Sequence, residues 1–155
     1  MILSTHALVG AVIGKNIESP WLIIILALIV HFIMDTFRHG EYVESTNPKT
    51  TFKNTLWKIV LDFSIGISIV GYFIFHNNPE AIQIRNIFLG VIFSIIPDFL
   101  TGLHWIFRFK FLKKLSYFHG YIVHRYPPLS PERKWTIRNA WNDIIFSTIS
   151  IIILF

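Results

Sequence analysis

Three aspartates sit inside apolar stretches of this 155-residue chain: Asp35 in ALIVHFIMDTFRHGE, Asp62 in WKIVLDFSIGIS and Asp98 in GVIFSIIPDFLTGLHW. A carboxylate in mid-helix costs about 2.5 to 3.5 kcal/mol on insertion scales, so each asks for a partner or a task. His31, Asp35 and His39 recur every four residues and so share one slowly drifting helical face, and such a face can chelate. Imidazole and carboxylate are ligands that zinc accepts, and a carboxylate-rich mixture also suits manganese or magnesium. The chain has no cysteine, which excludes disulfides, a thiolate nucleophile and cysteine zinc sites. His6, His31, Asp35 and Asp98 read as one shared polar site, because four costly groups at one depth would otherwise need four separate explanations. Plainer readings suit two others: His104 beside Trp105 is interfacial, and His76 beside Asn77 belongs to a loop. Asp62, one turn from Lys58, either pairs with that lysine or serves the site. His119 and His124 are about 140° apart on an ideal helix, so they share a site only if Gly120 breaks the helix or the site lies between them.

The elements that must position these groups are membrane helices. Mean hydropathy is +0.54, and several apolar stretches approach the roughly 17 to 25 residues that cross a bilayer. The expected fold is all-α: an integral, multi-pass membrane bundle of four to five helices, one domain over 1–155, with a basic interfacial segment before the last helix. Spans are expected over 20–37, 56–75 and 87–107. Residues 1–17 form a short span or a half-inserted helix, and 141–155 is marginal. The N-terminus lacks a basic leader region and reads as mature structure. With five crossings, loops 38–55 and 108–139 share one side, which carries every Lys and Arg except Lys15 and Arg85. The positive-inside rule then makes the N-terminus and these loops cytoplasmic.

Alternating helix direction puts all three aspartates and His6 at similar depth, near that side. Gly10 and Gly14 share the face of His6, while Gly66, Gly90 and Ser94 line the faces of Asp62 and Asp98, allowing close helix approach. Pro97 removes a backbone hydrogen bond just before Asp98. Basic and aromatic residues interleave over 105–126, which reads as an interfacial helix with Trp105, Phe107, Phe109, Phe111, Leu115 and Phe118 towards lipid rather than as a nucleic-acid surface. Membrane lipids are therefore the expected partners, nucleic acid is not, and a homo-oligomer stays open. No serine-nucleophile motif, phosphate-cradling glycine loop or dinucleotide fingerprint occurs.

Thr5-His6 opening a glycine-bearing helix, a His-Asp helix ending in Arg38-His39-Gly40, Pro97-Asp98 late in a later helix and the closing His119/His124 region together resemble the predicted membrane-bound metal-dependent hydrolases, over about residues 1 to 125. That group is similar to zinc-dependent phospholipase C in its His and Asp ligands. The resemblance implies a divalent metal, zinc first and manganese or magnesium as alternatives, on His6, His31, Asp35, Asp98 and one or both of His119 and His124, with Asp62 a candidate partner. The expected activity is hydrolysis of a lipid or lipid-linked phosphoester at the cytoplasmic face. Asp62 or Asp98 would orient a ligand histidine or accept the water proton. Arg108, Lys110, Lys113, Lys114 and Arg125 would rim the site for anionic substrate. The competing classes are a small metal or ion transporter and a non-catalytic structural membrane protein.

Overall fold

Local chemistry sets the helix ends. The helices are α1 (Leu3–Asn16), α2 (Pro20–Asp35), α3 (Pro48–Asn77), α4 (Ala81–Phe107), α5 (Lys113–Tyr117) and α6 (Ile137–Leu154), and the described residues contain no strand. The structure, a computed structural model, describes residues 1–42, 48–126 and 130–155, apart from the side chains of 48–53. Pro20 opens α2, where its missing N–H costs nothing. Asn78 takes a left-handed φ of 44° and turns α3 into α4, as the Asn77-Asn78-Pro79 link predicts. The Thr136 side chain caps α6 by accepting from the Asn139 N–H.

Burial is inverted relative to a water-soluble protein. On α2 and just past its end, Trp21, Ile25, Ile29, Ile33 and Phe37 form an exposed apolar stripe at four-residue spacing, while Ile23, Ala27, His31 and Asp35 face inward. Exposed Val60, Leu61, Ile65, Phe88, Ile92, Phe99, Ile144, Ile145 and Ile149 continue this surface around α3, α4 and α6. Large apolar side chains outside and ionisable ones inside suit a lipid solvent. Helices α3 (from Asn54), α4 and α6 are long and apolar enough to cross a membrane. Two expected boundaries change. Helix α2 has 16 residues, about 24 Å of rise against a core of about 30 Å, so it falls short of a full span by length alone. The last helix begins at Ile137, not near Trp141, and is thereby one of the three long ones.

The short α1 is the hub of the bundle. It packs on α2, α3, α4 and α6, and its buried face runs from Ser4 through Ala7 and Ala11 to Gly14. A Cβ on Gly10 would land on the Gly90 carbonyl, and one on Gly14 on the Asn86 carbonyl, so α1 and α4 cross backbone to backbone. At the site-distal end Asn86 ties down the carbonyls of Ile17 and Glu18, and Lys15 those of Ile153 and Leu154. Between the two ends lies an apolar cluster of Leu8, Ala11, Val70, Phe73, Ile87 and Val91. The other end gathers the starts of α1 and α6, the ends of α2 and α4, and the loops. Most basic residues lie there; the side chains of Lys49 and Lys53 fall outside the described residues.

Candidate metal centre

The first turns of α1 and the last turns of α2 and α4 bring His6, His31, Asp35 and Asp98 together, one donor atom of each within 4.8 Å of the others. Asp35 is the hub. His6 Nε2 lies 3.2 Å from its Oδ1, while His31 Nε2 and His119 Nε2 lie 3.2 Å and 2.8 Å from its Oδ2. Asp98 stands 3.7 Å from His6 Nε2 and 3.6 Å from His119 Nε2, and its 25% side-chain exposure makes it the open side of an otherwise buried group. Two ligands bound at about 2.0 to 2.2 Å to a tetrahedral ion lie about 3.3 to 3.5 Å apart, and these separations scatter around that value.

The far ring nitrogens explain how the donors are aimed. His31 Nδ1 donates to the Ser94 carbonyl at 2.7 Å, so a neutral His31 carries its lone pair on Nε2. That atom faces Asp35 and, at 3.2 Å, His119 Nε2. His119 Nδ1 is paired with the Thr101 hydroxyl at 3.0 Å. Tying down the outer nitrogen in this way is how proteins orient a ligand histidine. Acceptors turned on acceptors in a buried site need a positive species among them, a proton or a metal ion. The Met1 amino group is one positive group already resting on Asp35. The donor set therefore fits a divalent ion, and His6 Nδ1 is buried without a hydrogen-bond partner.

Two local irregularities make this geometry. Pro97 has no N–H for the Phe93 carbonyl, and the turn it loosens is the one whose Ser94 carbonyl receives His31. Phe118–Val123 is a π turn, closed by the His124 N–H on the His119 carbonyl, so five residues complete roughly one wide turn. The His119 and His124 rings stand 4.9 Å apart. The helix widens at Gly120 instead of breaking there, which corrects the sequence expectation.

His124 Nε2 lies 3.7 Å from Asp35 Oδ2, which joins His124 to the cluster. Its other nitrogen faces Glu41, which also pairs with Arg133. Burial pushes the Glu41 carboxyl up, but its surroundings, the paired Arg133 guanidinium among them, outweigh it and hold it at about 2, below the ordinary 4.5. Burial is also the largest influence on His124; it outweighs the pull of Asp35 and Glu41 and lowers the imidazole to about 3. A charged carboxylate and a neutral imidazole, the forms that bind cations, thus prevail at neutral pH.

Asp62 lies outside the group. It accepts from the Ser4 N–H at 3.1 Å and from the Ser4 hydroxyl, holding α3 to the first turn of α1. Sequence reasoning passed over Glu41 and Arg133, which carry no periodic signal in their loops, and Asp143. Asp143 accepts from the Ile2 N–H at 3.0 Å and fixes the other side of the same turn; the signal available for it was the polar pair Asn142-Asp143 in an apolar segment. No family model matches the chain, and neither does any curated protein or solved structure.

Proposed function

We propose that this membrane protein is a metal-dependent hydrolase of a phosphoester, lipid or lipid-linked, of the kind the predicted membrane-bound hydrolases represent. His6, His31, Asp35 and Asp98, with one or both of His119 and His124, would hold the divalent ion, zinc first. The observation that carries this reading is the convergence of His31 Nε2 and His119 Nε2 on Asp35 while their outer nitrogens are tied to Ser94 and Thr101. Such an ion, when bound, acidifies water from about 15.7 towards about 7 and draws charge from a phosphoryl oxygen. The protein's own groups supply the rest. Asp98, at the open side, would either hold the ion or take the water proton, whereas Asp62, bonded to Ser4, would act through position. Phe32 packs edge-on against the His31 ring, and Phe118 packs in turn on Phe32, giving that wall an apolar lining. Arg125 and Arg133 line the cleft beside Asp35 and His124, where guanidinium groups suit phosphate oxygens. An apolar groove of about 410 Å³ beside Ile2, Ser4 and Ile65 supports a substrate with an acyl chain.

Chelation should abolish turnover in a panel of phospholipids and lipid-linked phosphates, and zinc or manganese should restore it. Metal at background level after gentle purification, with no rebinding, would transfer the assignment to the structural class. The Met1–Asp35 pair favours that second reading, since protons and an amine would then neutralise Asp35. The apolar cluster between the two ends of the bundle speaks against a transport path through one chain. In the orientation proposed, the N-terminus and both basic loops are cytoplasmic. A reporter active only outside the cytoplasm should be silent when fused near Lys49, and activity there would reverse the topology.

A further inference from the structure

Beyond the deep cluster, donor atoms converge without hydrogen-bond partners at a second place. We propose that His39, Glu41 and His124 form a second divalent-cation site, nearer the loops than the first, with His124 ligating through Nδ1 and its Nε2–H turned towards Asp35. His39 Nε2 and His124 Nδ1 are both buried and both lack a hydrogen-bond partner. Each faces Glu41 Oε1, at 3.7 Å and 3.6 Å. Those gaps are too long for hydrogen bonds but close to the separation of two ligands on one ion, about 3.3 to 3.5 Å.

The surroundings complete the case. His39 Nδ1 donates to the Phe37 carbonyl at 2.8 Å, which leaves the lone pair on Nε2, the atom aimed at Glu41. Two imidazoles and one carboxylate, with a position left open, are a ligand set that zinc accepts. The Arg133 pair with Glu41 does not exhaust it, because a carboxylate offers roughly four acceptor positions. Arg133 is itself held by the Gly120 and Tyr126 carbonyls at 3.3 Å and 3.1 Å, so it orients Glu41 as an outer partner. Asp35, Phe37, His39, His124 and Arg125 surround these donors on the loop side. The site is defined by its own three donors and stands apart from the deep-site reading, in which His119 Nε2 faces Asp35.

The test counts ions on the full chain in detergent, stripped with chelator, then dialysed against zinc for elemental analysis and titrated with cobalt followed by absorption. His39→Gln and Glu41→Gln should each bind one equivalent fewer than wild type, with unchanged helical content. His31→Gln should keep the equivalent that His39→Gln loses, so the double variant binds one fewer than His31→Gln. Glu41→Asp retains a carboxylate and should retain the ion with weaker affinity. Unchanged stoichiometry in both His39→Gln and Glu41→Gln, with metal lost from His31→Gln, overturns the second site and leaves the deep one standing. Loss from only one of the two also overturns the three-ligand assignment. A wild-type chain that takes up neither zinc nor cobalt overturns both sites.

Discussion

Replacing Thr101 by Val tests the aiming of His119 without removing a ligand. The Thr101 hydroxyl lies 3.0 Å from His119 Nδ1, and valine keeps the branched shape while deleting that hydroxyl. Loss of an outer partner of this kind weakens metal binding about 10- to 100-fold. The position argues for the low end. Thr101 is half-buried, so water can take the place of the hydroxyl beside the ring, and His6, His31 and Asp35 still hold the ion. The expected loss is about tenfold in zinc affinity, or about 1.4 kcal/mol. A purely structural hydrogen bond would behave differently: stability would drop by about 0.5 to 1.5 kcal/mol and affinity would not move. Competition with a chromophoric chelator measures the affinity, and thermal unfolding of the metal-free protein measures the stability. Zinc affinity within about twofold of wild type, with or without a stability change, would refute the claim that this bond aims His119 at a metal.

Packing and charge set three further outcomes. Gly90→Leu should force α1 off α4, because a side chain there meets the Gly10 carbonyl; overpacking costs about 1 to 3 kcal/mol, so the Tm and metal content should fall together, and an unchanged Tm would deny the close crossing. Asp62→Asn should lower stability by about 1 to 3 kcal/mol through its lost acceptor while the ion count stays the same, whereas loss of the ion would make Asp62 a ligand. The Glu41 carboxyl is held below its ordinary value, so its contribution is complete above pH 4.5 and disappears as pH falls towards about 2. Denaturation curves should show wild type losing stability relative to Glu41→Gln across that window, and parallel curves would mean that its pairing contributes nothing.

Periodicity exposes a site on helices and is blind to one in loops. His31 and Asp35 stand four apart on α2, so their shared face is legible in the sequence, and the antiparallel order of the helices places His6 and Asp98 at the same end. Glu41 and Arg133 meet across most of the chain from two irregular loops, where no spacing announces them. Hydropathy undervalues α1 for a related reason. It measures fitness for lipid, while a central helix built of Ser4, Ala7, Gly10, Ala11 and Gly14 serves by being small. The start of α6 reads late in the sequence because Arg138 and Asn139 interrupt the apolar run. In the folded chain Asn139 turns back to the Pro131 and Lys134 carbonyls and belongs to the first turn of the helix.

An α-helix acquires a π turn when one residue is inserted and the downstream turns keep their phase. Gly120 lies in that turn, and a Cβ there would meet nothing within 4 Å, so packing does not demand a glycine at this place. Without it the two histidines would be four residues apart, about one ordinary turn, and would still share a face. The imidazole pair is thus a property of helical phase and not of residue count. A pair with three intervening residues on an ordinary turn and this pair with four on a wide one would present the same two rings, so one fixed spacing does not define the motif.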